Sequence, residues 1–125
     1  MMRVLFDHNL PRNLRNDFPS HFVSLTKEYG WNDLGNGKLL DAAQSLFDVL
    51  LTADANIYHQ QKVALFDIAV VVLRVYDLRP DSLRLLIPDV LNLLNKVEPG
   101  KVYYLYADDK LKESDRRKGK GPATE

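Results

Sequence analysis

Two aspartates stand where apolar runs end, and together they could do chemistry. Asp7 lies in Phe6-Asp7-His8-Asn9-Leu10-Pro11 and Asp54 in Leu51-Thr52-Ala53-Asp54-Ala55-Asn56. If the two runs are neighbouring strands of an open parallel sheet, both carboxylates reach the edge where such sheets bind ligands. A pair of carboxylates with waters can hold a hard divalent cation such as Mg2+, the arrangement that polarises a phosphodiester and activates water. The structural alternative is capping: Asp7 or Asn9 at a helix beginning near Pro11, and Asp54 at one beginning at Ala55.

Other polar residues are weighed against that pair. Asn36 projects with Leu39, Ala43 and Phe47 on one helical face, toward the sheet edge, whereas Asp41 projects with Gln44, Ser45 and Asp48 toward solvent. His8 could act as a base, but a single histidine after a strand is more often a loop residue. Arg74 could meet a phosphate, or equally pair with Asp77. Trp31 and the tyrosines at 103, 104 and 106 read as packing rather than base stacking.

The elements that must position these residues follow from periodicity. Arg3–Phe6 reads as a strand, followed by a helix from Pro11. His21–Leu25 alternates as a second strand, and residues 29–37 are dense in turn formers. Lys38–Phe47 has helical apolar spacing and leads into a buried strand at Asp48–Thr52. A short helix over Ala55–Lys62, a β-branched run at Ile68–Val75 and a long helix over Ser82–Lys96 come next, with Pro88 predicting a kink or two shorter pieces. Lys101–Tyr106 is a last strand. Alternating strands and helices predict an α/β fold, a three-layer α/β/α sandwich on a mostly parallel sheet of about five strands.

Composition bounds the function. The chain has 125 residues, 17 Lys+Arg against 17 Asp+Glu, and no Cys, as one domain of ordinary composition would. Without cysteine there is neither a disulfide framework nor a thiolate metal site, and His8, His21 and His59 lack ligand spacing. Zero net charge argues against broad salt-driven nucleic-acid binding, so any such contact must be local. Residues 108–125 carry six basic and five acidic side chains, hide no charge asymmetry, and are expected to form a disordered tail behind a domain over 1–107. The apolar run Ile68–Leu73 is far below the roughly 18 residues of a membrane helix. With no signal-peptide layout, a cytoplasmic protein with no membrane partner is expected.

The pattern Asp7-x-Asn9-Leu10-Pro11, a Gly-rich loop before the second helix, then Thr52-x-Asp54-x-Asn56, resembles the PIN-like family of small toxin-type proteins over residues 2–106. The resemblance implies a PIN-like sandwich and a Mg2+- or Mn2+-dependent ribonuclease site built from acids. It further implies an RNA substrate, a small antitoxin protein as partner, and homodimerisation as in many such toxins. Asp7 matches the family's first acid and Asp54 the acid after the Thr. Where the family has an acid at the start of the second helix this chain has Asn36, and where the Thr-x-Asp-x-Asp motif ends it has Asn56. Each exchange removes a charge and keeps an oxygen that can coordinate or accept a hydrogen bond. On this reading Asp7, Asp54 and Asn36 are catalytic and Asp7 and Asp54 ligate the metal, while Asn9, Asn56 and Arg74 meet the substrate. The alternative is a catalytically weak PIN-like binding module that acts through a protein partner. A phosphoacceptor receiver domain imitates the layout, but it needs adjacent acids after the first strand and a hydroxyl residue after the fourth, where this chain has Asp7-His8 and Arg74-Val75.

Overall fold

The computed structural model describes residues 1–54, 59–75 and 77–107. Five strands form the sheet: β1 (Arg3–Phe6), β2 (Phe22–Leu25), β3 (Val49–Thr52), β4 (Ala69–Arg74) and β5 (Val102–Tyr106). All neighbouring pairs are parallel, in the order β2-β1-β3-β4-β5. Alternation along the strands sends side chains to two cores. On one face Phe6, Leu51, Val71 and Leu73 pack with Leu14, Phe18, Leu83, Leu86 and Val90. On the other, Leu5, Leu50, Val70 and Val72 pack with Leu39, Leu40, Ala43 and Val63. The result is the expected α/β/α sandwich. Among the described residues no helix is long and apolar enough to cross a membrane.

The helices depart from the sequence reading in instructive ways. The first is a 3-10 helix, Arg12–Asp17, capped by the extended backbone of Pro11. Only Leu14 of its six residues is buried, and one apolar anchor does not sustain a longer α-helix. Between β2 and the turn-rich segment 29–37 lies an unanticipated 3-10 turn, Thr26–Tyr29, whose Glu28 side chain accepts the Leu25 N–H at 2.8 Å. That turn ends at Gly30 with φ 72, the left-handed region glycine enters without a Cβ clash. Helix α1 (Asn36–Ala43) starts two residues before the expected Lys38 and stops before Phe47. Of the short helix expected over Ala55–Lys62, residues 55–58 lie outside the described residues and α2 spans Gln60–Val63. The charged tail 108–125 lies outside them too.

Pro88 acts as anticipated: the long segment divides into α3 (Pro80–Arg84) and α4 (Ile87–Leu94). Proline has no N–H to donate to the carbonyl four residues back, and its ring crowds that carbonyl. Four residues before Pro88 is Arg84, where α3 ends.

One fold contact carries a pH prediction. The Met2 backbone N–H donates to His21 Nδ1 at 3.0 Å, which requires an unprotonated nitrogen. Burial, and secondarily the charged amino terminus, push the His21 pKa below its ordinary 6.5. The fold therefore favours neutral His21, and the stability this contributes is present above pH 6.5 and lost as pH falls through the depressed folded value. Melting followed by circular dichroism from about pH 7.5 to about pH 5 should show a midpoint that falls on acidification, and by less in His21→Gln. Equal slopes in the two proteins would refute the assignment.

Candidate active site at the carboxyl edge of the sheet

From β1 the chain crosses to β2 on one side and then to β3 on the other, so the crossovers diverge between β1 and β3. A crevice forms at such a switch point outside the carboxyl ends of the strands. The two aspartates stand there. Val4 pairs with Val49 and Phe6 with Leu51, and the Asp7 N–H continues the ladder to the Leu51 carbonyl at 2.9 Å. Asp7 and Thr52 follow Leu5 and Leu50 by two residues each and share their face of the sheet.

Thr52 is the hub of the edge. Its hydroxyl, fully buried, donates to Asp7 Oδ2 at 2.8 Å. The same oxygen accepts the Asp54 N–H at 3.1 Å and the Asn9 Nδ2 at 3.4 Å. One donor and two lone pairs are thereby all used. Asn9 Oδ1 accepts the Ala53 N–H at 3.2 Å, so Asn9 ties the loop after β1 to the loop after β3. One amide N–H of Asn9 has no partner among the described residues. Asp7 Oδ1 accepts the His8 N–H at 2.9 Å and lies 3.1 Å from His8 Nδ1. Asp7 itself is 6% exposed, a carboxylate kept from water by bonds that satisfy it.

These contacts decide against capping for Asp7 and Asn9: the 3-10 helix is capped by Pro11 with no side-chain bond. Asp54 is half-buried, and its carboxylate has no hydrogen-bond or ion-pair partner among the described residues. Asn36 opens α1 and stands outside the Thr52 network, with its Nδ2 buried and unpartnered among the described residues. Asn56 lies outside the described residues. Arg74 ends β4, exposed, on the same face as Thr52, since Thr52 pairs with Val72 two residues earlier. It does not pair with Asp77, which is engaged by Arg79 at 3.3 Å, but lies with its guanidinium carbon 5.7 Å from the Tyr106 ring centroid. Trp31 packs on Phe47 and stacks with Tyr29, so packing is its role.

Sequence reasoning set His8 aside and treated Thr52 only as part of a motif. A histidine next to a candidate ligand, and a hydroxyl ending an otherwise apolar strand, were the available signals. Neither is specific, because both residue types are common at strand ends.

The donor chemistry fits a hard cation. Asp7 Oδ2 accepts one bond and keeps a lone pair, and both oxygens of Asp54 are uncommitted among the described residues. No group of three or more His, Cys, Asp or Glu side chains gathers among the described residues, so waters would complete the shell, as Mg2+ commonly requires. The strand order is also that of flavodoxin-like sheets and receivers, yet the end of β4 offers Arg74-Val75 where a receiver needs a hydroxyl. No family model, curated protein or solved structure matches this chain.

Replacing Thr52 tests the hub. Thr52→Val keeps the shape but leaves Asp7 Oδ2 without its donor and strips the acceptor from Asp54 N–H and Asn9. The expected cost in urea denaturation is about 1–3 kcal/mol, with most of it restored in Thr52→Ser. A neutral Thr52→Val would show that the hydroxyl does not hold the edge together.

Proposed function

We propose that the protein is a metal-dependent RNA endonuclease of the PIN-like toxin type, with a small antitoxin protein as its partner. The observation that supports this reading is that Asp7 and Asp54 follow the carboxyl ends of adjacent strands and both bond to Thr52, Asp7 through its carboxylate and Asp54 through its backbone N–H. The motif Asp7-x-Asn9-Leu10-Pro11 with Thr52-x-Asp54 supports it from the sequence side. Asp7 and Asp54 would hold Mg2+ or Mn2+, which when bound polarises the scissile phosphodiester and lowers the pKa of a water nucleophile. Thr52 and Asn9 hold the two acidic loops at a fixed separation, so little reorganisation remains at the moment of reaction. His8, beside Asp7 and open to solvent, can carry a proton between the edge and bulk water.

A second reading, a weakly catalytic binding module, is favoured by a specific feature: Asn36 and Asn56 stand where the family pattern has acids, leaving two carboxylates. The experiment that separates the readings is incubation of purified protein, freed of any partner, with a pool of structured RNAs in Mg2+, Mn2+ or EDTA. Cleavage that needs metal and disappears in Asp54→Asn is expected of the nuclease. A folded wild type that leaves the pool intact in both metals would favour the binding module.

A further inference from the structure

A groove runs away from Asp7 on the β2 side, opposite in direction to Arg74. Its inner part, about 210 Å³, is lined by Asp7, His8, Arg12, Thr26, Lys27 and Asn32. A second, more open part of about 360 Å³ shares Arg12, Leu25 and Lys27 with the first and continues past Asn13, Asn16 and the Arg15–Glu28 pair. Two adjoining clefts with a common wall form a track, which suits a chain better than a compact ligand.

The charges of the track are unequal in availability. Arg12 and Lys27 are exposed and form no ion pair with a described residue. The acid on the wall of the outer part, Glu28, is taken by Arg15 at 2.9 Å and by the Leu25 N–H at 2.8 Å. The Leu25 bond first, then Arg15, and least of all the charge of Lys27, hold the Glu28 carboxyl below its ordinary range, so it stays ionised on those partners. Asn32 accepts the buried Thr26 hydroxyl at 2.7 Å, which fixes its side chain at the wall and leaves its amide N–H donors uncommitted among the described residues. Two unpaired cations, an oriented amide and an acid of the cleavage site at the inner end are the chemistry that a polyanionic backbone requires.

We propose that this groove, from Asp7 past Arg12 and Lys27, is the binding track for the phosphate backbone of single-stranded RNA flanking the cleaved bond. The proposal deepens the nuclease reading and rests on it for the place of Asp7. It also explains how a chain of zero net charge can bind RNA: two cations are concentrated beside the acids and the remaining charge is balanced elsewhere.

The test separates binding from cleavage. Fluorescence anisotropy of a labelled mixed-sequence RNA strand of about 20 nucleotides, in EDTA and over a range of salt, is measured for three proteins. They are the wild type, Arg12→Gln/Lys27→Gln, and the charge-matched control Lys62→Gln/Lys96→Gln. Lys62 belongs to α2, whose Gln60 side chain bonds to Gly100 and Val102 at the amino end of β5, and Lys96 follows α4 toward the same end. The expected result is about tenfold or greater weakening and a salt slope reduced by about 1.4 in the groove variant, from roughly 0.7 per single-strand phosphate contact, with the control unchanged. Equal affinity and slope in the groove variant and the wild type overturns the track even if metal-dependent cleavage persists, and so does a wild type that does not bind the strand. The expected binding result without cleavage in metal upholds the track and removes the nuclease reading. Capture of a poly-glutamate peptide that the groove variant loses, with RNA binding untouched, assigns the groove to an acidic protein and overturns the proposal. Both replaced residues are exposed and unpaired, so unchanged melting is expected and verifies folding.

Discussion

Asp54→Ala is expected to abolish metal-dependent RNA cleavage while leaving the folding free energy within about 0.5 kcal/mol of the wild type, as surface substitutions usually do. The Asp54 carboxylate is half-buried without a described partner, and its structural bond to Thr52 is made by the backbone N–H, which alanine keeps. Asp7→Ala is expected to abolish cleavage and destabilise the fold as well, by about 1–3 kcal/mol. Its carboxylate is buried and accepts the Thr52 hydroxyl and the His8 N–H, both of which lose an acceptor. In rate, the loss from either variant should reach about 100-fold or more, because charge stabilisation by a held cation is worth several kcal/mol and each 1.4 kcal/mol is about tenfold. Urea denaturation in EDTA, paired with the cleavage assay, reads both effects. If Asp54→Ala destabilises as much as Asp7→Ala, Asp54 is structural and the division of labour between the two acids is wrong.

The second large effect belongs to the core beneath the site. Phe6 is fully buried and meets Phe18 edge-on, ring centroids 5.5 Å apart at 77°. Phe6→Ala removes that contact and leaves a cavity directly before Asp7, at an expected cost of about 3–5 kcal/mol. Total stabilities of about 5–15 kcal/mol are usual, so the melting midpoint should fall by roughly 15–25 °C. Phe22→Ala, at a ring 65% exposed on the edge strand β2, should change stability by no more than about 0.5 kcal/mol. A small effect of Phe6→Ala would mean that the β1 end is not held by this ring pair.

Most of the sheet was legible because its signal is local and strong. The continuous apolar runs at β3 and β4 have few other readings, and Pro88 announces the break between α3 and α4 from chemistry that no neighbour can override. That Asp7 and Asp54 follow neighbouring strands was legible only as a condition, namely that β1 and β3 adjoin, and the strand order supplies that adjacency. Helix lengths were less legible. Whether Arg12–Asp17 winds as 3-10 or α depends on how much of it tertiary packing buries, which spacing alone does not reveal. Thr52 as hub, and Arg12 and Lys27 as neighbours along one groove, escaped for a related reason. These are contacts among residues far apart in sequence, and a single chain of letters carries no trace of them except through the fold.

The parallel sheet has one more effect, on when the protein becomes competent. Every strand pairing joins segments separated by a crossover, and the central pair sets Val4 beside Val49. Such non-local closures are slow compared with helix or hairpin formation. The edge that gathers Asp7, Thr52 and Asp54 therefore has no precursor in a partly made chain: β1 waits for β3, and β3 needs β4 on its other side. During synthesis Asp7 emerges well before Asp54, and β4, which flanks β3, follows only at Ala69–Arg74. On the proposed nuclease reading, the nascent chain is therefore without that edge until β1, β3 and β4 have all left the ribosome.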